Sequence, residues 1–410
     1  MELKTNYQYT YFIYPFIVKQ NKYKEYITKM LKDKKCKLKT FEKERDLKLY
    51  KFFLPKWRDI LFSSFRFGNM KLKQLEELPI ETRAGILDKY PCNIFEYDIK
   101  QDIQAKVDDK DGIYFSIRKV NVICFNTGIC FLCIKTNLED NNSFSDVLNF
   151  NYKFRDIYSE TSDLENYDQI RLQTDSFSGV ESFREFIRKI TGSNSEMKKL
   201  NIDNERLLTY SYLCIDQEAW NNLNEFEKIE YQFNKYANNL SADNSVNFDK
   251  DNVRTFSKWK YAKIGLTKSS VSLFASNYDI NHYTVLPYEY ENQYLYTYII
   301  NLYKKIYLKL ISEEFKNTND IKKIRRKFSK FTKEIWVRDV TQNETGSLLN
   351  KELQEELELD DLYKEIKNKY DILYKEFNMK KVIKANGFVL IILAISLILN
   401  IYNFIILNNK

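Results

Sequence analysis

The stretch that decides the architecture of this chain is residues 385–410, ANGFVLIILAISLILNIYNFIILNNK. No charged residue lies between Lys384 and Lys410. The 20 residues from Phe388 to Leu407 would span about 30 Å as an α-helix, which matches the hydrocarbon core of a bilayer. The pattern therefore predicts a single transmembrane helix over residues 385–407.

The charges that flank this run predict its orientation. Lys380, Lys381 and Lys384 stand just before it, and only Lys410 follows. Because cytoplasmic flanks of membrane helices are enriched in Lys and Arg, we expect the large N-terminal part in the cytoplasm and the three lysines as a basic collar at the membrane. Residues 1–20 lack the pattern of a signal peptide. These signals predict a single-pass protein of the cell's inner (cytoplasmic) membrane.

Four polar residues interrupt the apolar run on one side of the predicted helix. At 100° per residue, Asn386, Ser396, Asn400 and Asn403 fall within about 100° of one another. An amide that faces lipid costs free energy unless it finds a hydrogen-bond partner or water. Two interpretations remain open: the stripe lines a water-filled pore made by several copies, or it hydrogen-bonds to a neighbouring helix without a pore. Both predict an oligomer.

Composition indicates a folded chain with a mildly basic surface. The chain has 410 residues, 44% hydrophobic and 30% charged, and a formal net charge of +8. Much of this charge lies near the membrane end, which favours an anionic lipid surface over nucleic acid as a partner. The basic segment 321–336 has no motif that reads nucleic acid, so we expect no binding to a nucleic acid duplex.

No motif typical of catalysis or metal binding stands out in the sequence. Cys130 and Cys133 form a C-x-x-C, but in a strand they would point to opposite faces, and no second pair lies at metal-binding distance. The only histidine, His282, lies in a segment that we predict to be a loop, without a nucleophile motif nearby. We expect no enzyme, no metal site and no cofactor. The ligand-binding residues stay unassigned, although a divalent cation or a nucleotide second messenger would fit as a gating ligand.

Residues 1–287 mix short strand-like runs with amphipathic helices and predict an α/β cytosolic domain. The central feature is a hairpin over residues 120–136, since Gly128 can adopt the positive φ of a tight turn. Ser143 is typical of a helix N-cap. Runs rich in aromatic and β-branched residues predict further strands at residues 9–18, 48–54, 60–67, 93–99 and 265–274.

Residues 288–384 change to helical periodicity. Apolar residues recur every three or four positions after Pro287, pause at residues 317–320, and resume in a basic helix to about Trp336. A third helical pattern covers residues 347–384, which is 38 residues or about 57 Å as a helix. It contains neither Pro nor Gly and leads directly into the membrane run. We predict a helical pair and a long stalk that forms one rod with the transmembrane helix.

Three local strings, together with this architecture, resemble the CorA-like family of divalent-cation channels. They are residues 122–132 (VICFNTGICFL), 149–155 (NFNYKFR) and 335–342 (IWVRDVTQ), with Gly346 at the start of the stalk. The resemblance implies a homopentamer in which the stalk helices continue into the pore. In that arrangement the four polar residues are similar in placement to pore-facing residues, and the three lysines to a basic collar at the cytoplasmic mouth.

The chain departs from the family pattern in two respects. It lacks the Gly-Met-Asn signature at the end of the first membrane helix, and the residues after Asn403 provide no second helix. It therefore resembles the CorA-like proteins without that signature that act as membrane effectors of bacterial antivirus systems, including type III CRISPR systems gated by a nucleotide second messenger.

Three functions follow, in order of preference. The first is a homo-oligomeric membrane pore or channel effector, gated through the stalk by a ligand or ion bound to the cytosolic domain. The second is a non-conducting, tail-anchored adaptor that binds a cytosolic partner. The third is a transporter of Mg²⁺.

Overall fold

The computed structural model describes most of the chain, and it divides into two compact units. Unit 1 comprises residues 1–306 and 338–359, and unit 2 comprises residues 307–337 and 360–410. The described residues are 3–40, 43–63, 72–97, 103–107, 113–138, 143–155, 171–174, 179–192, 206–216, 223–243, 253–317 and 321–408.

Unit 1 is built on one large sheet, which has twelve strands over the described residues. The strands are β1 (Thr5–Ile17), β2 (Cys36–Leu38), β3 (Cys92–Tyr97), β4 (Ile103–Val107), β5 (Ile113–Phe125), β6 (Ile129–Leu138), β7 (Arg171–Thr174), β8 (Gly179–Ser182), β9 (Leu208–Ile215), β10 (Arg254–Trp259), β11 (Ala262–Leu266) and β12 (Ser270–Ser276).

Helices account for most of the remaining described residues. They are α1 (Tyr23–Lys32), α2 (Lys43–Phe52), α3 (Pro55–Leu61), α4 (Leu72–Glu77), α5 (Ile80–Leu87), α6 (Phe144–Phe154), α7 (Phe183–Thr191), α8 (Leu223–Ala237), α9 (Asn281–Thr284), α10 (Leu286–Glu289), α11 (Leu295–Asn317), α12 (Ile321–Lys330), α13 (Glu344–Glu356) and α14 (Leu359–Asn408). Two π-helical turns, Tyr290–Tyr294 and Phe331–Ile335, precede α11 and follow α12.

The strand order is β10-β11-β12-β9-β1-β6-β5-β4-β7-β8, and β3 pairs with both β5 and β2. Neighbouring strands are antiparallel except β12 and β9, which run parallel. The long strand β1 lies in the middle, between β9 and β6. The predicted α/β domain is therefore observed as a mixed, largely antiparallel sheet.

Alternate residues of β1 pack against different helices on the two faces of the sheet. On one face, the Phe12 ring lies 4.3 Å from that of Phe154 in α6. On the other face, the Tyr9 hydroxyl donates a hydrogen bond of 2.9 Å to the Pro287 carbonyl in α10. Because both faces are covered, nearly every residue of β1 from Tyr9 to Phe16 is buried. The sheet is thus the middle layer of an α/β/α arrangement.

The predicted central hairpin and its neighbouring helix cap are confirmed. β5 and β6 pair up to Cys124 and Cys130, and Gly128 has a φ of +88°. The Ser143 hydroxyl accepts a hydrogen bond from the Asp146 amide, and the Asp146 carboxylate accepts one from the Ser143 amide. This reciprocal capping box begins α6.

Two of the predicted strands are wrong. Residues 48–52 belong to α2 and residues 60–61 to α3; residues 64–67 lie outside the described residues. Leu49, Phe52 and Phe53 are buried at positions i, i+3 and i+4, which is helical spacing that aromatic content obscured. The predicted strands at residues 9–17 and 93–97 and the strand pair within residues 262–276 are present.

The predicted continuous helix over residues 347–384 is also wrong at one point. α13 ends at Glu356, Glu358 has a φ of +56°, and α14 begins at Leu359. Leu357 and Leu359 are both 1% exposed. Two residues apart, they could not share one face of a regular helix, so the interruption lets both enter the core. From Leu359 to Asn408 the helix is unbroken, as the sequence predicts for the entry into the membrane run.

Unit 2 is helical, and in it α12 runs antiparallel to α14. The Trp336 ring stacks on Tyr363 with centroids 4.3 Å apart. The Phe328 ring lies 5.2 Å from Tyr370, and Arg325 Cζ lies 5.5 Å from the centre of the Tyr374 ring. The N-terminal end of α12 is therefore the end that is nearer to the apolar part of α14.

Replacing Gly128 by alanine should destabilise unit 1. A Cβ at this position would lie 2.1 Å from the Val18 carbonyl oxygen, and the backbone is in the left-handed region. We expect the free energy of unfolding to fall by about 2 kcal/mol or more, measured by urea denaturation of the detergent-solubilised protein.

The matched control for this variant is Gly85→Ala in α5. Its Cβ would meet only the Lys24 side chain, at 3.6 Å. Since alanine favours helix more than glycine does, this change should stabilise by up to about 1 kcal/mol. Equal effects of the two substitutions would contradict the hairpin geometry.

Candidate functional site

The apolar end of α14 is the most unusual surface of the described chain. Its most hydrophobic 18-residue window has a mean hydropathy of 2.6, and none of that window is buried within the protein. Leu390 and Phe404 are each 66% exposed, and Leu407 is 73% exposed. Soluble monomers rarely expose a contiguous apolar surface of this size. By length and composition α14 can cross a membrane, and this supports a single-pass membrane anchor.

The four polar residues that interrupt this surface all lie in the unbroken part of α14. Regular helical geometry therefore places Asn386, Ser396, Asn400 and Asn403 on one stripe, as the sequence predicts. From Asn386 to Asn403 the stripe extends about 26 Å along the axis, most of the thickness of a bilayer core. All four residues are exposed. In a bilayer each amide has more donor and acceptor groups than its own helix can pair, so its remaining partners come from water or another chain.

Lys380, Lys381 and Lys384 lie in the same helix, about 6 to 12 Å before Phe388. Lys381 Nζ lies 4.7 Å from the centre of the Phe377 ring. At 100° per residue, the centre of these three lysines is about 140° around the helix from the centre of the polar stripe. If the stripe faces a shared axis, the lysines face away from it. This differs from the collar at a pore mouth that the family resemblance implies.

The helix that leads into α14 is fixed to the rest of unit 1 by three sets of contacts. A Cβ on Gly346 would lie only 2.4 Å from Phe52 Cζ, so α13 passes very close to that ring. The Asn301 side-chain amide donates a hydrogen bond of 3.0 Å to Asn350 Oδ1. Asn350 in turn donates one of 2.9 Å to the Arg338 carbonyl. Thus α13 is held along its length before the chain reaches α14.

The third set of contacts is an ion-pair cluster on Arg254 in the edge strand β10. Its guanidinium lies 3.1 Å from Glu352, 2.7 Å from Glu355 and 3.7 Å from Glu356. Hydrogen bonding to Glu352 raises the pKa of Arg254. Three carboxylates of one helix face therefore share a single cation. Nearby, Lys268 pairs with Glu358 at 2.9 Å, at the residue where the helix is interrupted.

A charged network lies between the sheet and the π-helical turn before α11. Lys135 Nζ and Glu291 Oε2 are 2.7 Å apart, with side chains 14% and 19% exposed. The Tyr11 hydroxyl donates a hydrogen bond of 2.6 Å to Glu291 Oε1, and Lys135 Nζ lies 4.5 Å from the centre of the Tyr9 ring. Burial alone would raise the pKa of Glu291, but Lys135 and Tyr11 outweigh it, so the pKa lies below its ordinary value.

The sequence reasoning missed both clusters, although a signal for the second was present. Lys135 is a single charge within an apolar run, and Glu291 lies in a run rich in tyrosine that also contains Glu289. Such charges, when buried, need an opposite partner. The sequence alone could not pair them, because they are 156 residues apart. π-helical turns are frequent at functional sites, so the position of Glu291 makes this network a candidate for coupling between the sheet and α11.

The cysteines and the histidine are all buried. Cys130 and Cys133 point to opposite faces of β6, as predicted; burial raises the pKa of Cys133 to about 12. His282 lies in the short helix α9, which corrects the predicted loop, and its Nδ1 is 3.0 Å from the Ser276 carbonyl oxygen. Over the described ranges, no group of three or more His, Cys, Asp or Glu residues is placed to bind a metal ion.

A charged groove lies on unit 1 between β2 and the helices α4 and α5. Its volume is about 400 Å³, and its lining includes Lys37, Lys39, Arg83, Glu76 and Glu96. Lys39 and Glu96 form an ion pair of 3.5 Å.

Compared with known proteins, the chain matches no family model, no curated protein and no solved structure. The CorA-like resemblance therefore remains a prediction from local strings and architecture.

Replacing Glu291 by glutamine should destabilise unit 1. The change leaves Lys135 largely buried without its carboxylate partner, and we expect a loss of about 2–4 kcal/mol in the free energy of unfolding. The pKa of Glu291 is lowered in the folded state, so its contribution is full above about pH 4.5 and is lost as the pH falls through the folded pKa. Wild-type stability should therefore decline more steeply below about pH 4.5 than that of the variant.

The control for this experiment is Glu365→Gln in α14. Glu365 pairs with Lys369 at an exposed position, where loss of an ion pair costs at most about 0.5 kcal/mol. Urea titrations at several pH values would measure both variants. A Glu291→Gln protein as stable as wild type at neutral pH would contradict the network.

Replacing Arg254 by glutamine should loosen α13. Because the guanidinium is 38% exposed, solvent weakens its ion pairs, and we expect a loss of only about 1 kcal/mol. The specific result is faster amide hydrogen exchange in residues 344–356, measured by mass spectrometry. Lys351→Gln, which removes one exposed pair with Glu355, should leave this exchange unchanged, and no difference between the two variants would refute the role of Arg254.

Proposed function

We propose that this protein is a homo-oligomeric membrane pore or channel effector whose α14 helices surround a common axis. A ligand or ion bound to unit 1 gates it through α13 and α14. In the CorA-like reading the oligomer is a pentamer in a bacterial inner membrane, with unit 1 in the cytoplasm. Its role there is antiviral signalling of the type III CRISPR kind.

One observation carries this proposal: a single polar stripe along a membrane-length helix whose surface is otherwise apolar. A lone anchor gains nothing from three amides and a hydroxyl on one side, since each is costly when it faces lipid. Around a common axis the same stripe contacts water or the stripe of the next subunit. The helix regularity from Leu359 to Asn408 supports this, because it keeps the stripe in register through the membrane.

The gating part of the proposal is supported by the path of the chain. α13 is held by contacts from α2, α11 and β10, and only two residues, Leu357 and Glu358, separate it from α14. A ligand that alters these contacts would change the position of α13, and with it the start of α14. The charged groove on unit 1 is the candidate site for such a ligand, whether a divalent cation or a nucleotide.

A second function uses the same stripe differently. Amides can hydrogen-bond directly between neighbouring membrane helices without leaving a pore. The protein would then be a tail-anchored adaptor that presents unit 1 to a cytosolic partner. Transport of Mg²⁺ is third, because the Gly-Met-Asn signature is absent from the sequence.

The decisive variant is Asn386→Leu/Asn400→Leu/Asn403→Leu in the full chain. Each hydrogen bond between membrane helices contributes about 0.6 kcal/mol, so three should weaken association by about tenfold to thirtyfold. We expect wild type to be an oligomer in nanodiscs by mass measurement and to conduct in planar bilayers in some ligand condition. The triple variant should show a lower oligomer mass and no conductance.

Ile391→Leu/Ile398→Leu is the control, since both residues lie on the opposite face of α14 and remain apolar. It should leave oligomer mass and conductance unchanged. A monomeric wild-type protein in nanodiscs would refute both the pore and the helix-association functions. An oligomer without conductance under any tested ligand, with full cellular activity after truncation at Lys384, would favour the adaptor.

A further inference from the structure

The N-terminal part of α12 presents a dense positive surface. The helix has six Lys or Arg residues among ten and no acidic residue. Its apolar side chains Ile324 and Phe328 are buried, whereas Lys322, Lys323 and Arg326 are exposed. Glu314 of α11 lies close to Lys323 and Lys327. The helix N-terminus adds a partial positive charge at the same end.

The packing within unit 2 places this surface close to the membrane run. Arg325 lies over Tyr374, and the two helices are antiparallel, so Lys322 lies beside about residue 377 of α14. From there to Phe388 is about 16 Å along the axis. The lysine side chain spans several ångströms of this distance, and lipid headgroups extend about 5–8 Å beyond the hydrocarbon core. The remaining gap is within one Debye length at physiological salt, about 8 Å.

The same face of α14 carries both α12 and the three lysines. Tyr363 and Tyr370 contact Phe328 of α12, and Tyr374 lies under Arg325. These three tyrosines lie about 30° to 75° around α14 from the mean direction of Lys380, Lys381 and Lys384. The centre of the polar stripe lies farther away, about 85° from the mean direction of these tyrosines and about 140° from that of the lysines. Cations from two helices thus form one surface that continues toward the bilayer, on a side of α14 that is nearer to the three lysines than to the centre of the stripe.

From this geometry we infer that Lys322 and Lys323 of α12, together with Lys380, Lys381 and Lys384 of α14, form a binding surface for the headgroups of anionic phospholipids. A cluster of four to eight cations directly beside a membrane helix is sufficient for such recognition. The inference depends on α14 crossing a bilayer, and it is independent of whether the polar stripe conducts.

The lipid surface is favoured over nucleic acid by position. The cations follow the face of a helix that ends in the apolar run, so a bilayer entered by α14 brings headgroups to them without a further binding event. Binding of anionic headgroups there would hold the N-terminal end of α12 at the membrane.

The test compares lipid composition around the full-length protein. Wild type and variants are reconstituted with excess mixed phosphatidylcholine and phosphatidylglycerol, extracted in mild detergent, and their bound lipids are measured by mass spectrometry. We expect phosphatidylglycerol to be enriched in wild type, and less so at high salt. Each cation near an anionic surface strengthens binding by about fivefold, so Lys322→Gln/Lys323→Gln should reduce the enrichment by at least about fivefold.

Lys364→Gln/Lys369→Gln is the matched control. These exposed lysines lie in α14, about 28 Å or more along its axis from Phe388. It should retain the wild-type enrichment. Glutamine keeps helix propensity close to that of lysine, and circular dichroism together with resistance to carbonate extraction verifies folding and insertion for every variant.

Two results would overturn the inference. One is that Lys322→Gln/Lys323→Gln retains the wild-type enrichment of phosphatidylglycerol, because α12 would then take no part in lipid binding. This holds even if Lys380→Gln/Lys381→Gln/Lys384→Gln loses the enrichment. The other is binding of a short DNA duplex through the same lysines without any preference between the two lipids. Failure of the pore alone would appear as an absence of conductance with lipid enrichment intact.

Discussion

A hydrocarbon medium offers no hydrogen bonds, and this constraint acts on α14 more strongly than on any other described element. Its last twenty residues are too apolar for water and are not covered by the rest of the chain. Within a bilayer the backbone is satisfied by the helix itself. The three amides and one hydroxyl of the stripe are not satisfied in this way, and their positions on one side determine what the neighbouring molecules must supply.

The two polar features of α14 are separated around the helix and so cannot serve one purpose. Uncharged amides occupy the face within the membrane run, while lysines occupy another face just before it. Amides suit water or other amides at low dielectric, whereas lysines suit the anionic headgroup layer. The packing of α12 on the lysine side extends this division beyond the membrane. In the proposed oligomer one face of α14 would meet the sister helices and another would meet lipid headgroups, which would orient the helix about its axis as well as across the bilayer.

In unit 1, helices pack on both faces of a large sheet through two different kinds of contact. Aromatic packing supplies most of one interface, as in the contact between Phe12 and Phe154. The other interface includes the ion pair of Lys135 and Glu291, in which the Tyr11 hydroxyl also donates a hydrogen bond to the carboxylate. Such a network has stricter geometry than apolar packing, and it lies at a π-helical turn. Movement of α11 on the sheet would therefore have to break or exchange defined hydrogen bonds.

The sequence alone determined the features that depend on local periodicity: the membrane-length apolar helix, its polar stripe, the hairpin at Gly128 and the capped helix at Ser143. Each follows from a few neighbouring residues and a fixed repeat. The prediction from sequence was wrong at residues 48–52, where aromatic content indicated a strand and the structure has a helix. It was also wrong at Glu358, where the helix is interrupted so that Leu357 and Leu359 are both buried. Only the tertiary structure could bring Lys135 to Glu291, set Arg254 against three glutamates, and place α12 on the lysine face of α14. These contacts join residues far apart in the chain. A local sequence pattern can indicate that a buried charge needs a partner, but it does not specify which distant residue that partner is.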